Sequence, residues 1–188
     1  MTRYESDKKI YKVVMAGLMM CLILVATSLF KVPVPLTQGY VHLGDAMIFL
    51  SVLILGKRDG AIAAGVGSAL GDILGGFAMW APWTFAIKFL MALLMGIFVE
   101  VMEKKGLAHT DKHGINAFEI IGMVFGGAVM VGGYFLAERV IYGNWAVAAI
   151  GIPWNIGQFT VGMVVATILA EALYKSPAKK YFAIRNDQ

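Results

Sequence analysis

The chain has 188 residues, of which 59% are hydrophobic and only 15% charged, with a mean hydropathy of +0.74. Soluble domains are about 45–50% apolar and about 25% charged, so the composition excludes a soluble domain and describes an integral membrane protein. The formal net charge of +4 does not point to nucleic acid, because the basic residues sit at segment ends in alternate loops, as topology signals do.

About 20 apolar residues cross a bilayer as a helix. The length therefore allows about six spans with short connections, one membrane domain over residues 1–188, and no soluble catalytic domain. The predicted helices cover about 10–30, 43–55, 61–75, 84–102, 115–136 and 152–174. The first apolar run is too long for the core of a cleavable signal peptide and reads as a membrane helix. Its cysteine, Cys21, has no partner for an intramolecular disulfide and reads as a small packing residue.

Between the first two helices lies loop 1, KVPVPLTQGYVH (31–42), whose prolines and glycine cannot continue a helix. GKRDG (56–60) reads as a tight basic turn, FAMWAPW (77–83) as the next turn, and EKKGLAHTDKHG (103–114) as a polar, basic loop. The stretch AERVIYGNWAVAAIG (137–151) is mixed. Of the 16 Lys and Arg residues, only Lys31 and Arg139 fall on one side of this arrangement, with Lys88 inside a span. The positive-inside rule then places both termini in the cytoplasm of a multi-pass plasma-membrane protein. Small residues at Gly60, Ala64, Gly67, Gly71 and Gly75, and again at Gly122 and Gly126, point to close helix packing.

Ionisable groups within membrane segments are rare and mark functional sites. Asp72 and Lys88 both lie on the order of 6–8 Å below the outer ends of their helices. At similar depth stand His42, Asp45, Tyr134, Glu138, Asn155 and Gln158, while the inner halves of the spans carry almost no charge. Convergent polar groups in an apolar pocket are the usual design of a small-molecule site. Tyr40, Phe77, Trp80, Trp83, Trp145 and Trp154 gather on the same side. They read either as an interfacial belt or as stacking surfaces for a flat ligand.

Plainer roles stand beside these. Lys88 is able to pair with Asp72 or Asp45. Asp45 suits the N-cap of its helix. His42 suits a solvated loop, and Glu138 a surface position beside Arg139. The amides Asn155 and Gln158 share a helix face and must find partners there.

No enzymatic motif is present. LGKRDG lacks the upstream glycine of a phosphate-binding loop, GVGSAL is not a nucleophile elbow, and no H-E-x-x-H occurs. His109 and His113 lie in a hydrophilic loop without the carboxylates of a metal site. The sequence implies no cofactor, no metal and no catalysis.

The stretch from Gly39 to Gly96 resembles the substrate-binding S-components of energy-coupling-factor (ECF) vitamin transporters. The marks are HLGDA at the second helix, the small-residue third helix ending in Asp72, and P-x-T-x-x-x-K at Pro82–Lys88. The resemblance is greatest to the branch assigned to hydroxymethylpyrimidine or pyridoxine. It implies a six-helix bundle, an all-α fold that binds a vitamin or precursor near the outer face under a loop 1 lid. It also implies partners, a membrane coupling protein and two cytoplasmic ATPases, with toppling of the S-component driven by that module. Family members dock through an Ala-x-x-x-Ala motif on the first helix. The nearest equivalent here is Ala16 and Gly17-x-x-x-Cys21, with Met20 where a second alanine would suit. The resulting expectation is a substrate-binding subunit using Asp72, Lys88, Tyr134, Glu138, Asn155 and Gln158, with Asp45, His42 and Trp83 beside them. The alternatives are riboflavin as substrate, a stand-alone proton-coupled carrier using Asp72 or Glu138, and a non-transporting scaffold.

Overall fold

The computed structural model describes residues 3–29, 31–34, 40–107, 114–178 and 182. Residues 35–39 of loop 1, His109, His113 and the basic residues Lys112, Lys179, Lys180 and Arg185 lie outside this set. The elements are α1 (Arg3–Leu29), β1 (Lys31–Pro33), β2 (Tyr40–His42), α2 (Gly44–Leu74), α3 (Ala81–Lys104), α4 (Ala117–Tyr142) and α5 (Trp145–Tyr174). The architecture is a helical bundle with one small hairpin.

The segments predicted at 43–55 and 61–75 follow each other as two helical arms of one element, α2, that meet at Gly56, so the described residues form five helical elements where six were expected. Only Gly56 leaves helical geometry, with φ 80° and ψ −172°, a conformation open chiefly to glycine. Residues 57–60 are already helical, so the predicted five-residue turn shrinks to a single residue. The chain nonetheless reverses there. Ser51 donates its hydroxyl to Ile48 O at 2.7 Å, its own helical turn, and reaches Gly60 O at 3.4 Å. A Cβ on Gly60 would stand 2.9 Å from Val52 Cα. The two arms of α2 thus lie against each other, and the small residues seen in the sequence allow that approach.

Among the described residues, four helices are long and apolar enough to cross a membrane: Ile10–Leu29 of α1, with α3, α4 and α5. The arms of α2 are interrupted by Lys57, Arg58 and Asp59 and carry Asp45 and Asp72. On α1, Ile10, Val13, Val14, Leu18, Leu22, Val25 and Leu29 are exposed, a helical stripe suited to lipid. The opposite face buries Met19 and Ile23. There Gly67 lies so close to α1 that a Cβ would meet Met20 O at 2.8 Å, and one on Gly71 would meet Thr27 Cγ2 at 2.7 Å.

The remaining helix ends follow local chemistry. Pro82 sits in the first turn of α3, where its missing N–H costs nothing, and so α3 begins at Ala81, before the predicted Thr84. Asn116 and Glu119 form a capping box at the start of α4, satisfying two orphan N–H groups. α4 continues to Tyr142, past the predicted Leu136. It stops at Gly143, which is left-handed at φ 67°. Asn144 then caps α5 by accepting from Ala146 N at 2.8 Å. The mixed stretch 137–151 is therefore the end of one helix and the start of the next. Pro153 lies inside α5.

Candidate functional site

The site lies where the hairpin covers the bundle, at the end where α2 begins and its second arm finishes. The strands pair antiparallel, with Lys31 opposite His42, Val32 opposite Val41 and Pro33 opposite Tyr40. Under them stand side chains from α2, α3, α4 and α5.

At the centre, Lys88 of α3 forms an ion pair with Asp45 of α2, both fully buried. The second carboxylate oxygen of Asp45 accepts from Gln158 Nε2 at 2.9 Å. Met130 Sδ lies 2.8 Å from Lys88 Nζ. Gln158 Oε1 in turn accepts from the backbone N–H of His42 at 2.9 Å, and His42 Nδ1 accepts from Gly44 N at 2.9 Å. One chain of polar contacts therefore ties α3, α2 and α5 to the hairpin. α5 reaches this network because Gly162 lets it approach, a Cβ there standing 2.8 Å from Asp45 Cβ.

His42 is buried, and burial together with the Lys88 charge lowers its pKa from 6.5 to about 3. The imidazole is neutral, with Nδ1 as acceptor and the proton on Nε2. Tyr40 donates its hydroxyl to Asp72 Oδ1 at 2.6 Å. Burial, then that bond and the Asp72 charge, push the Tyr40 phenol well above its ordinary pKa. Tyr134 donates to Thr84 Oγ1 at 3.2 Å.

These groups enclose a cavity of about 30 Å³ lined by Val34, Tyr40, His42, Asp72, Trp80, Thr84, Tyr134, Glu138, Asn155 and Gln158. That volume holds water-sized occupants. A wider apolar groove of about 380 Å³ runs beside it between the hairpin and α5. His42 and Gln158 line both spaces.

Six of the residues predicted from sequence therefore line one cavity: His42, Asp72, Tyr134, Glu138, Asn155 and Gln158. Lys88 and Asp45 lie beneath it as a pair. Asp72 is not the ion-pair partner of Lys88: Lys88 pairs with Asp45, and Tyr40 bonds the Asp72 carboxylate. Asp45 is no N-cap: Leu43 holds that position without a side-chain bond. His42 and Glu138 are buried rather than solvated, at 8% and 5% exposure. Trp83 is 36% exposed and outside the lining, whereas Trp80 is buried within it. The spacing held that signal: Trp80, Thr84 and Lys88 recur every four residues on one face, and Trp83 falls off it. Trp145 and Trp154 are exposed as well. The sequence put Tyr40 on the right side but did not aim it, or Val34, into the cavity, because the hairpin that does so has no periodic signature.

At the other end, Ala16 and Gly17 line a depression of about 320 Å³ with Lys12, Val13, Met20 and Asp59, and Cys21 is exposed on α1. Among the described residues no cluster of His, Cys, Asp and Glu is arranged to hold a metal.

A helical membrane-type bundle with a polar cavity closed by a hairpin is the class this geometry defines. The chain belongs to the family described as ECF-type riboflavin transporter, S component, which matches residues 7–175. It is 28% identical to the thiamine precursor transporter HmpT of Lactococcus lactis over 90% of this chain and 92% of that protein. It is 38% identical to an uncharacterised protein of Pyrococcus woesei over 63% of this chain and 72% of the relative. Among solved structures, the S-component for biotin from an ECF-type ABC transporter superposes with a TM-score of 0.71 at 17% identity, covering 97% of this chain and 99% of that one. That likeness shows the fold.

Proposed function

We propose that this chain is the substrate-specific subunit of an ATP-driven ECF-type importer, binding a small heteroaromatic vitamin precursor from outside and delivering it inward. The observation that carries the reading is the cavity under the hairpin, where four helices and the strands bring aromatic rings and hydrogen-bonding side chains together. Asp72, Tyr134, Glu138, Asn155 and Gln158 contact ligand, with Tyr40, Trp80 and Thr84. Lys88 and Asp45 hold the floor. Trp83 is left to the lipid boundary.

A hydroxymethylpyrimidine-type ring is favoured over riboflavin. The relationship to HmpT spans nearly the whole chain, and a cavity of about 30 Å³ needs least rearrangement for a single ring. Even that ring requires the hairpin to lift, because pockets for small ligands usually measure about 300–1,000 Å³. The hairpin is thus the lid. The riboflavin alternative draws support from the family's description.

The arms of α2 act as two of six spans, and both termini face the cytoplasm, as the Lys and Arg distribution supports. A coupling protein docks on the α1 face around Ala16, Gly17 and Cys21. Two ATPases supply the energy, since this sequence has no phosphate-binding loop. Mass spectrometry of the small molecule that co-purifies with the chain in detergent tests the substrate. Uptake into liposomes tests the mechanism: it requires the ATPase module under this reading. Uptake by the chain alone, abolished by an uncoupler, would establish the proton-coupled carrier instead.

A further inference from the structure

We propose that the groove between the hairpin and α5 is the seat of one acyl chain of a membrane phospholipid, and that this chain holds the hairpin down on the bundle. The inference goes beyond the transport reading and does not depend on which ligand the cavity takes.

The two faces of the hairpin meet different surroundings. Side chains alternate across a strand. In β2, Tyr40 and His42 line the small cavity, whereas Val41 between them lines the groove. Val41 stands opposite Val32 in register, and Val32 lines the groove as well. The face turned away from the cavity is therefore a valine pair, with Val32 51% exposed. An antiparallel pair whose outer face met water would carry polar residues there. Hydrocarbon suits valine.

α5 supplies the opposite wall with Pro153, Trp154, Gly157 and Val161. Trp154, Gly157 and Val161 are spaced i, i+3 and i+7, one stripe of a helix. From Pro153 to Val161 the groove follows that helix for about 12 Å, at 1.5 Å per residue. A Cβ on Gly157 would meet nothing within 4 Å, so the missing side chain leaves the space that forms the groove floor. The same spacing continues through Val164 and Ile168, which are exposed like Val161. The groove thus opens along α5 onto the surface that faces lipid.

Depth and charge point to the same occupant. α5 has 30 residues, of which about 20 cross hydrocarbon. Counted back from Tyr174, 20 residues reach Asn155. Trp154 then stands at the interface, where tryptophan is favoured, and the groove beyond it lies at acyl-chain depth. Among the described residues no Lys, Arg, Asp or Glu lines the groove, so nothing there holds a headgroup or a charged ligand. Its two polar side chains, His42 and Gln158, are already joined, the His42 backbone N–H donating to Gln158 Oε1 at 2.9 Å. A chain in the groove covers that bond and packs on the valine pair, so opening the hairpin would strip both contacts away.

The test uses the full chain in a sterol-based detergent, which offers no linear chain, titrated with lysophosphatidylcholine, which offers one. Hydrogen exchange of residues 40–42 reads hairpin opening with no cavity ligand present. Lysophosphatidylcholine should slow that exchange saturably, by about tenfold, the effect of covering about two methylene-sized patches. Glycerophosphocholine, the same headgroup without the chain, should have no effect. Gly157→Leu fills the groove with its own side chain and should protect the hairpin before any lysolipid is added. Val161→Trp obstructs the far end of the groove, should abolish the response to lysolipid, and covers the case in which Gly157→Leu does not fold. Exchange unmoved by lysolipid would overturn the proposal, whether the groove stays empty or loop 1 itself fills it. An equal effect of glycerophosphocholine would overturn it too, as would an unchanged response in both variants. Each of these failures leaves the transport reading standing.

Discussion

Lys88 and Asp45 form an ion pair in which neither side chain reaches solvent. The pair bridges α3 and α2, and Gln158 completes the carboxylate's hydrogen bonding from α5. Breaking such a pair on one side leaves an uncompensated buried charge, which costs about 3–5 kcal/mol, whereas replacing both partners by apolar groups is often near neutral. Lys88→Ala should therefore lower the thermal unfolding midpoint in detergent sharply. Lys88→Met combined with Asp45→Leu should recover much of that loss, a non-additivity expected of contacting residues. Additive losses would show that the pair contributes no coupling.

Closing the hairpin ties up a neutral histidine. His42 has a pKa near 3 when buried and a reference value of 6.5, so the open state binds more protons than the closed one. Closure is then fully favoured above pH 6.5 and weakens progressively as pH falls from 6.5 toward 3. At pH 5.5 the protonated open state gains about tenfold over the closed one. Protonated Nδ1 also loses the bond from Gly44 N and faces Lys88. Ligand affinity should drop about tenfold between pH 7.5 and 5.5. His42→Asn, which keeps an acceptor near the Nδ1 position, should flatten that profile. A wild-type affinity constant over this range would exclude His42 as the titrating group.

How much of this was readable in the sequence depended on which signal placed each part. Composition and hydropathy were enough for a helical membrane protein. The 3.6-residue period and membrane depth were enough to gather Asp72, Tyr134, Glu138, Asn155 and Gln158 at one end. They failed where a partner is chosen in three dimensions. Asp45 and Asp72 were both credible mates for Lys88, and only the three-dimensional placement of α2 against α3 shows that Asp45 is the partner. Helix ends were legible in principle from Gly143 and Asn144, a left-handed stop followed by an N-cap, but the apolar run on both sides hid them. The length of the break in α2 was not legible, because Lys57, Arg58 and Asp59 are as compatible with a helix as with a turn.

Gly67 sets the distance between α1 and the second arm of α2. A Cβ at this position would stand 2.8 Å from Met20 O and 3.0 Å from Ile23 Cβ, and backbone does not yield as a flexible side chain does. Gly67→Ala should cost about 1–3 kcal/mol, the usual range for overpacking. Gly157→Ala, where a Cβ meets nothing within 4 Å, is the control and should change the unfolding midpoint little. Equal effects at the two positions would mean that α1 is not in close contact here.

Tyr40 joins the hairpin to the cavity through one bond, its hydroxyl donating to Asp72 Oδ1 at 2.6 Å. The ring also packs on Phe77 with centroids 4.5 Å apart, so Tyr40→Phe keeps the packing and removes only the bond. Asp72 then loses the donor at Oδ1 and keeps Thr84 as its remaining side-chain partner. Leaving a buried acceptor unsatisfied costs about 1–3 kcal/mol, and the closed hairpin bears that cost while the open one regains water. The bound lid should open more often, so ligand dissociation should speed up by about tenfold or more with a smaller change in association. Asp72→Asn in the Tyr40→Phe background should restore part of the loss by removing the stranded charge. Stopped-flow tryptophan fluorescence, with Trp80 in the cavity wall, reads both rates. An unchanged dissociation rate in Tyr40→Phe would mean that the hairpin is held by His42 and Gln158 alone.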